Sequence, residues 1–336
     1  MPTAAQLPQI RNDLVRLCST DLIGMVISHH VLAGGDMDLP QPECDAAKFG
    51  DAMEGYQQRL RNLADMATLF HVSAEMTAVA DAARRTMPGY RLHPEDLPAE
   101  RGLIVFDAVI GRFDIDGDLE SMSDYDRRLA VEHRERQLAV APAAVIAAMW
   151  GPALTRNGEP GVLVVTWTDS SDLVAYREKE GSKPEALTAL RAFGALAYHD
   201  ETVLPFGDIF DEEGPDRPIR NESLGTLIAT WLLMGQPITS SLPEPLPRQT
   251  RRALQRANLP VPEVRVVKLR QPKHPHPEAE QGAGRTYTKR WVVRGHWRNQ
   301  WYPSRNDHRP IYIPTHIKGP DGAQLIVSEK VYDWSR

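Results

Sequence analysis

The sequence predicts an α+β protein with an N-terminal helical layer, a central antiparallel sheet with helices, and a C-terminal antiparallel sheet of about three to four strands. Three observations carry this. Between Gln57 and Arg85, apolar residues recur at three- and four-residue steps (Leu60, Leu63, Ala64, Ala67, Phe70, then Met76, Val79, Ala80, Ala83), the period of amphipathic helices. Three β-type runs follow, at 102–110, 143–150 and 161–168, with no long apolar helix between them to make parallel crossovers. From Arg290 to Tyr302, residues of opposite chemistry alternate, as they do along an extended strand.

With 336 residues, 42% hydrophobic and 25% charged, the chain has the composition of a globular protein large enough for two or three packed parts. The parts divide at 1–100, mainly helical; 101–262, sheet plus helices; and 263–336, the C-terminal sheet. Two cysteines, Cys18 and Cys44, cannot build a disulfide framework or a Cys-rich zinc site, and they fit a reducing compartment. The N-terminus lacks a signal-peptide pattern and the longest apolar run, 224–234, is far below the ~20 residues of a membrane span, so a cytoplasmic protein with no membrane partner is expected.

Taken in order, residues 34–45 and 93–102 read as loops rich in Gly, Pro and acidic residues. Residues 182–199 carry a cap-like Ser, an early Pro and helical periodicity, and a second helix spans Glu222 to Met234, stopped by Gly235-Gln236-Pro237. Its Trp231–Met234 stretch is apolar on all sides and belongs in a core. SSLPEPLPRQ is an extended connector, TRRALQRANL a short basic helix and VRVVKL a strand. Residues 271–284 hold almost no apolar side chain and cannot order themselves by burial.

The C-terminal region carries the chemistry. Residues 263–336 hold 14 Lys and Arg against 7 Asp and Glu, a charge of +7 set against −13 in the preceding 262 residues. A basic end on an acidic body meets either an anionic partner or the body of its own chain. In 290–302, Arg290, Val292, Arg294, His296, Arg298 and Gln300 alternate with Trp291, Val293, Gly295, Trp297, Asn299 and Trp301, so the tryptophans turn inward and the bases outward. The next strand, 309–319, separates Ile311, Ile313 and Ile317 from Tyr312, His316 and Lys318. A Gly-Pro-Asp-Gly turn at 319–322 then leads to a third strand returning antiparallel.

Pairing the two strands by their apolar faces collects Arg294, His296, Arg298, His316 and Lys318 on one surface. Such a surface can hold a phosphodiester and cleave it without metal: His296 and His316 exchange protons with the attacking and leaving oxygens, while Arg290, Arg294, Arg298, Arg309 and Lys318 bind the anion. Gln300, Tyr302 and Tyr312 support that site. No cofactor is implied. The partner of this reading is RNA or another polyanion. In the alternative, a non-enzymatic interaction protein uses the same basic face to bind an acidic protein partner or its own acidic body.

RWVVRGHWRNQWYPS followed by HRPIYIPTHIKGPDG, with LIATWLLMGQP and VRVVKLR upstream and LFHVSAEMTAVA nearer the start, resembles a group of hypothetical proteins of actinobacteria and their phages. The resemblance covers most of the chain, and VRGHWRNQ is its most specific string. It implies a mobile-element or genomic-island setting and assigns no site residues; the defence or toxin setting belongs to the ribonuclease reading.

Other motifs fall away on spacing. The acidic run from Asp114 puts Gly117 fourth and Tyr125 twelfth, where a calcium loop needs Gly sixth and Glu twelfth. His29-His30 and His274/His276 lack a second pair at tetrahedral spacing, and His296, His308 and His316 lack a cysteine or carboxylate to complete a metal site. Neither a phosphate-binding Gly loop nor a nucleophile elbow occurs.

Overall fold

The structure, a computed structural model, describes residues 1–20, 23–24, 46–113, 143–155, 157–179, 181, 183–192, 194–207, 209–210, 222–270, 288–303, 307–320 and 323–326. The chain is α+β. Its helices are α1 (Leu7–Leu17), α2 (Ala46–Asp65), α3 (Ala74–Arg84), α4 (Ser170–Lys179), α5 (Pro184–Arg191), α6 (Glu222–Met234) and α7 (Arg248–Arg256). The large sheet contains β1 (Thr68–Val72), β3 (Gly102–Phe106), β4 (Gly111–Phe113), β5 (Ala143–Leu154), β6 (Pro160–Asp169), β7 (Leu196–Pro205), β9 (Thr239–Glu244) and β10 (Val264–Leu269). β2 (Tyr90–Arg91) and β8 (Ile209–Phe210) form a small separate pair.

The large sheet runs β7-β6-β5-β3-β1-β10-β9, with β4 beside β5. It is mixed rather than antiparallel throughout: β1 is parallel to both β3 and β10, and the remaining pairs are antiparallel. Side chains alternate between two cores. Leu69, Leu103, Val105, Leu163 and Val165 pack under α1 and α2; Phe70, Val72, Ile104, Phe106 and Val164 pack under α3 and α6. Trp150 and Trp231 meet edge to face in the second core with centroids 5.2 Å apart. Arg84 of α3 donates to Glu222 of α6 at 2.8 Å, tying the two helices of that layer.

The helical stretch expected across Gln57–Arg85 is two helices, α2 and α3, with β1 between them. Because β1 lies at the centre of the sheet and is covered on both faces, Leu69, Phe70 and Val72 are all buried; a strand of that kind has no polar alternation to distinguish it from helix. The helix expected over 182–199 ends at Arg191, since Leu196 and Ala197 pair with β6 and join the first core. The connector at 240–249 supplies β9, which pairs with β10. β10, grouped with the C-terminal part on sequence, neighbours β1 in the large sheet. Cys44, the acidic run from Asp114, both doubtful histidine pairs, residues 34–45 and the 271–284 loop lie outside the described residues. Among the described residues no helix is long and apolar enough to cross a membrane.

The C-terminal strands are β11 (Arg290–Val293), β12 (His296–Tyr302), β13 (Asp307–Ile313), β14 (His316–Lys318) and β15 (Leu325–Ile326). The expected continuous strand 290–302 is thus two strands. β11 pairs with β14 and β12 with β13, both antiparallel, and one register serves both ladders: Trp291 faces Lys318, Val293 faces His316, His296 faces Ile313, and Tyr302 faces Asp307. Together they are a two-stranded ribbon with a gap at 294–295 and 314–315. Pro314 has no N–H to offer the ladder, and the Gly295 N–H donates instead to Thr315 Oγ1 at 3.0 Å. β15 runs back antiparallel to β14, as expected, but it pairs with β11, to which it is parallel.

Candidate functional site

The ribbon is seated on the body through four of its residues, Trp297, Pro310, Tyr312 and Arg309. Trp297 Nε1 donates to the Ala83 carbonyl at the end of α3 at 2.7 Å, and its ring stands edge-on to Tyr312 at 5.2 Å. Tyr312 is buried, which raises the pKa of its hydroxyl. A Cβ at Gly295 would lie 2.1 Å from the Tyr312 hydroxyl, so the ring fits only over a glycine. Gln236, in the turn after α6, accepts from the Tyr312 N–H at 2.8 Å and donates to the Pro310 carbonyl at 3.3 Å.

The fourth contact is Arg309, which reaches Glu95 Oε1 at 2.7 Å and Asp96 Oδ1 at 3.3 Å. Asp96 is buried, and its other oxygen accepts from the Tyr90 hydroxyl and the His93 N–H, each at 2.8 Å. Glu95 is held below the usual carboxylate range, first by a backbone hydrogen bond at its own residue and then by Arg309. Burial pulls the Arg309 guanidinium down, but Tyr90, Asp96 and Glu95 outweigh it and the net direction is up. Arg309 therefore docks the ribbon on acidic residues of its own chain.

Directly opposed residues of an antiparallel pair share a face. On that rule His296, Arg298, Gln300 and Tyr302 lie on one face with Arg309, Ile311 and Ile313; alternation carried through the gap adds Arg294 and, in β11, Arg290. His316 and Lys318, opposite Val293 and Trp291, lie on the other face with Trp297 and Tyr312. The expectation of one shared surface for both histidines is corrected: a register pairing even with odd residue numbers puts His296 and His316 on opposite faces. His308, opposite Trp301, falls on the His316 side.

Arg294, His296, Arg298, His316 and Lys318 are exposed, while Arg290, Gln300 and Tyr302 are half-buried. Arg298 donates to Gln300 Oε1 at 2.7 Å, two residues along the same face. The two imidazoles repeat one local geometry. Nδ1 of His296 lies 3.0 Å from the Arg294 carbonyl, and Nδ1 of His316 lies 3.0 Å from the Pro314 carbonyl. A carbonyl can only accept, so Nδ1 carries the proton in each and Nε2 is the nitrogen left for a ligand. Trp301, expected inside with Trp291 and Trp297, is 41% exposed, its ring 4.8 Å from that of His308.

Two features carried no sequence signal. A cleft of about 310 Å³ opens between the ribbon and the body, bounded by Tyr90, Asp96, Trp231, Tyr302, Arg309 and Ile311; its residues come from four separate segments. His71, buried near the carboxyl end of β1, has Nε2 3.1 Å from Asp107 Oδ1, just beyond β3, and 3.3 Å from the Pro2 carbonyl. Their partners are far apart in sequence, and only the fold brings them together.

Compared with known proteins, the chain matches no family model, no curated protein and no solved structure.

Proposed function

We propose that the chain is a non-catalytic, nucleic-acid-directed protein whose C-terminal ribbon binds the phosphate backbone. One observation carries this reading: Arg294, His296 and Arg298, all exposed, stand in a row on one face of a ribbon that is itself pinned to the body by Trp297, Gln236 and Arg309. A rigid support keeps the ordering cost of binding low, and guanidinium forks match phosphate oxygens. The exposed Trp301 ring, on the other face of the ribbon with His308, is a separate surface on which a base can stack.

The ribonuclease version of this reading needs two imidazoles on opposite sides of one phosphate. With His296 and His316 on opposite faces of the ribbon, only binding is proposed. A second reading, in which the basic face binds an acidic protein partner or the chain's own acidic body, is favoured by Arg309, which pairs with Glu95 and Asp96 of that body. The mobile-element setting, in actinobacteria or their phages, is supported by the shared strings, and a cytoplasmic location by the free, buried Cys18.

Fluorescence anisotropy with labelled single-stranded RNA across a salt series tests the reading. The log–log slope is expected to be steep and to flatten by about 0.7 for each arginine lost in Arg294→Gln and Arg298→Gln. His296→Gln should bind nearly as well as the parent, since no proton transfer is involved. Salt-independent binding, or none, would sink the nucleic-acid reading; tight binding of an acidic peptide instead would favour the second.

A further inference from the structure

We infer that helix α7 is a second nucleic-acid contact surface, built from four arginines and separate from the ribbon. The helix RQTRRALQR connects β9 to β10 at the edge of the large sheet. At 3.6 residues per turn, Arg248, Arg251, Arg252 and Arg256 fall within about 140° of arc. Leu254 points the other way and is buried with Leu246 in the core under α1 and α2. One apolar anchor fixes the helix, and the whole cationic stripe faces solvent: all four arginines are exposed.

What distinguishes this stripe from an ordinary solvated face is that nothing in the helix offsets it. The helix holds no acidic residue, and among the described residues none of the four guanidinium groups is in an ion pair. Arg248 and Arg252 are spaced i,i+4, as are Arg252 and Arg256, so like charges sit where helical neighbours repel. Arg248 and Arg251 also occupy the first turn, where the helix dipole disfavours cations, and Pro247 before it gives no side-chain cap. Elsewhere the chain does compensate: Arg265 on the adjoining strand pairs with Glu263 at 2.8 Å, and Arg309 with Glu95.

A local arrangement that works against its own helix points to a partner that supplies the missing negative charge. Four forks along roughly 13 Å of helix suit a run of phosphates better than one small anion, because several separate charges must be met at once. The choice of nucleic acid as that partner rests on the reading of the ribbon above; the existence of a polyanion surface on α7 does not.

The test compares the full chain with a variant carrying Arg248→Gln, Arg251→Gln, Arg252→Gln and Arg256→Gln, and with the ribbon variant Arg294→Gln/Arg298→Gln. The probe is a fluorescein-labelled oligouridylate, titrated across a salt series. The α7 variant should bind more weakly and lose about 0.7 of log–log slope per arginine removed, while its melting temperature stays level or rises because the internal repulsion is gone. Lysine at the four positions should keep most of the slope but weaken binding, since a point charge replaces a fork. An α7 variant that binds as the parent does, with the same slope, overturns the proposal. So does a parent chain that ignores the oligonucleotide and binds only vesicles of anionic lipid. Sensitivity to the α7 variant with none to the ribbon variant would refute the ribbon reading and leave this one standing; the reverse would do the opposite.

Discussion

Gln236 treats Tyr312 as a neighbouring strand would: its side-chain amide accepts the Tyr312 N–H at 2.8 Å and donates to the Pro310 carbonyl at 3.3 Å, closing the outer edge of β13. In a strand, a carbonyl and the N–H two residues on point to the same edge, and a primary amide is the side chain that satisfies both. The edge is thereby capped and the ribbon aligned in one step. Gln236→Leu keeps the bulk and removes both bonds, so it should cost about 1–3 kcal/mol and speed amide exchange at Tyr312. Unchanged exchange at that amide would show that the ribbon is held without Gln236.

Trp297 combines an apolar contact with a hydrogen bond to the Ala83 carbonyl, and its ring is half-buried. Trp297→Phe should lose the bond and retain most of the packing, costing roughly 1 kcal/mol. Trp297→Ala should cost on the order of 3 kcal/mol, the low end for an aromatic truncation, because part of the ring already meets solvent. Equal denaturant midpoints for the two variants would show that packing contributes nothing here.

Removing Arg309 leaves Asp96, which is buried, with one oxygen lacking its cationic partner. Arg309→Ala should therefore destabilise the fold by about 2–3 kcal/mol, more than an exposed ion pair would. The double variant Arg309→Ala/Asp96→Asn should recover part of the loss, since a neutral amide is less costly to leave in the same place. A double variant no more stable than the single one would show that the charge of Asp96 is not what Arg309 serves.

The elements legible in the sequence were those with one face in the core and one in water. Trp297 inward and Arg298 outward followed from alternation, and α6 from a helical run ended by a Gly-Gln-Pro stop. β1 was hidden because burial on both faces erases the polar period. The separation of His296 from His316 was hidden for another reason. Periodicity assigns faces within a strand but not the register between strands, and shifting the register by one residue exchanges the faces. Arg309 read as a free cation because its partners, Glu95 and Asp96, lie more than two hundred residues away.

Glu201 is a buried carboxylic acid on β7, opposite Val165 in the strand pairing, and its Oε2 accepts no hydrogen bond among the described residues. Burial pushes its pKa from the ordinary 4.5 up to about 8, so the folded chain holds it protonated at neutral pH. The sign of the stability effect follows from linkage. Between pH 4.5 and about 8 the unfolded chain ionises this group while the folded chain keeps its proton, so the unfolded state binds fewer protons and stability falls as pH rises through that window. At about 1.4 kcal/mol per pKa unit, the penalty reaches a few kcal/mol near pH 8 and changes little beyond it. Glu201→Gln substitutes a neutral group of the same shape and removes the titration. Its denaturant midpoint should match the parent near pH 4.5 and exceed it progressively toward pH 8. Parallel pH profiles for parent and variant would mean that Glu201 is ionised in the folded chain and that burial does not control its charge.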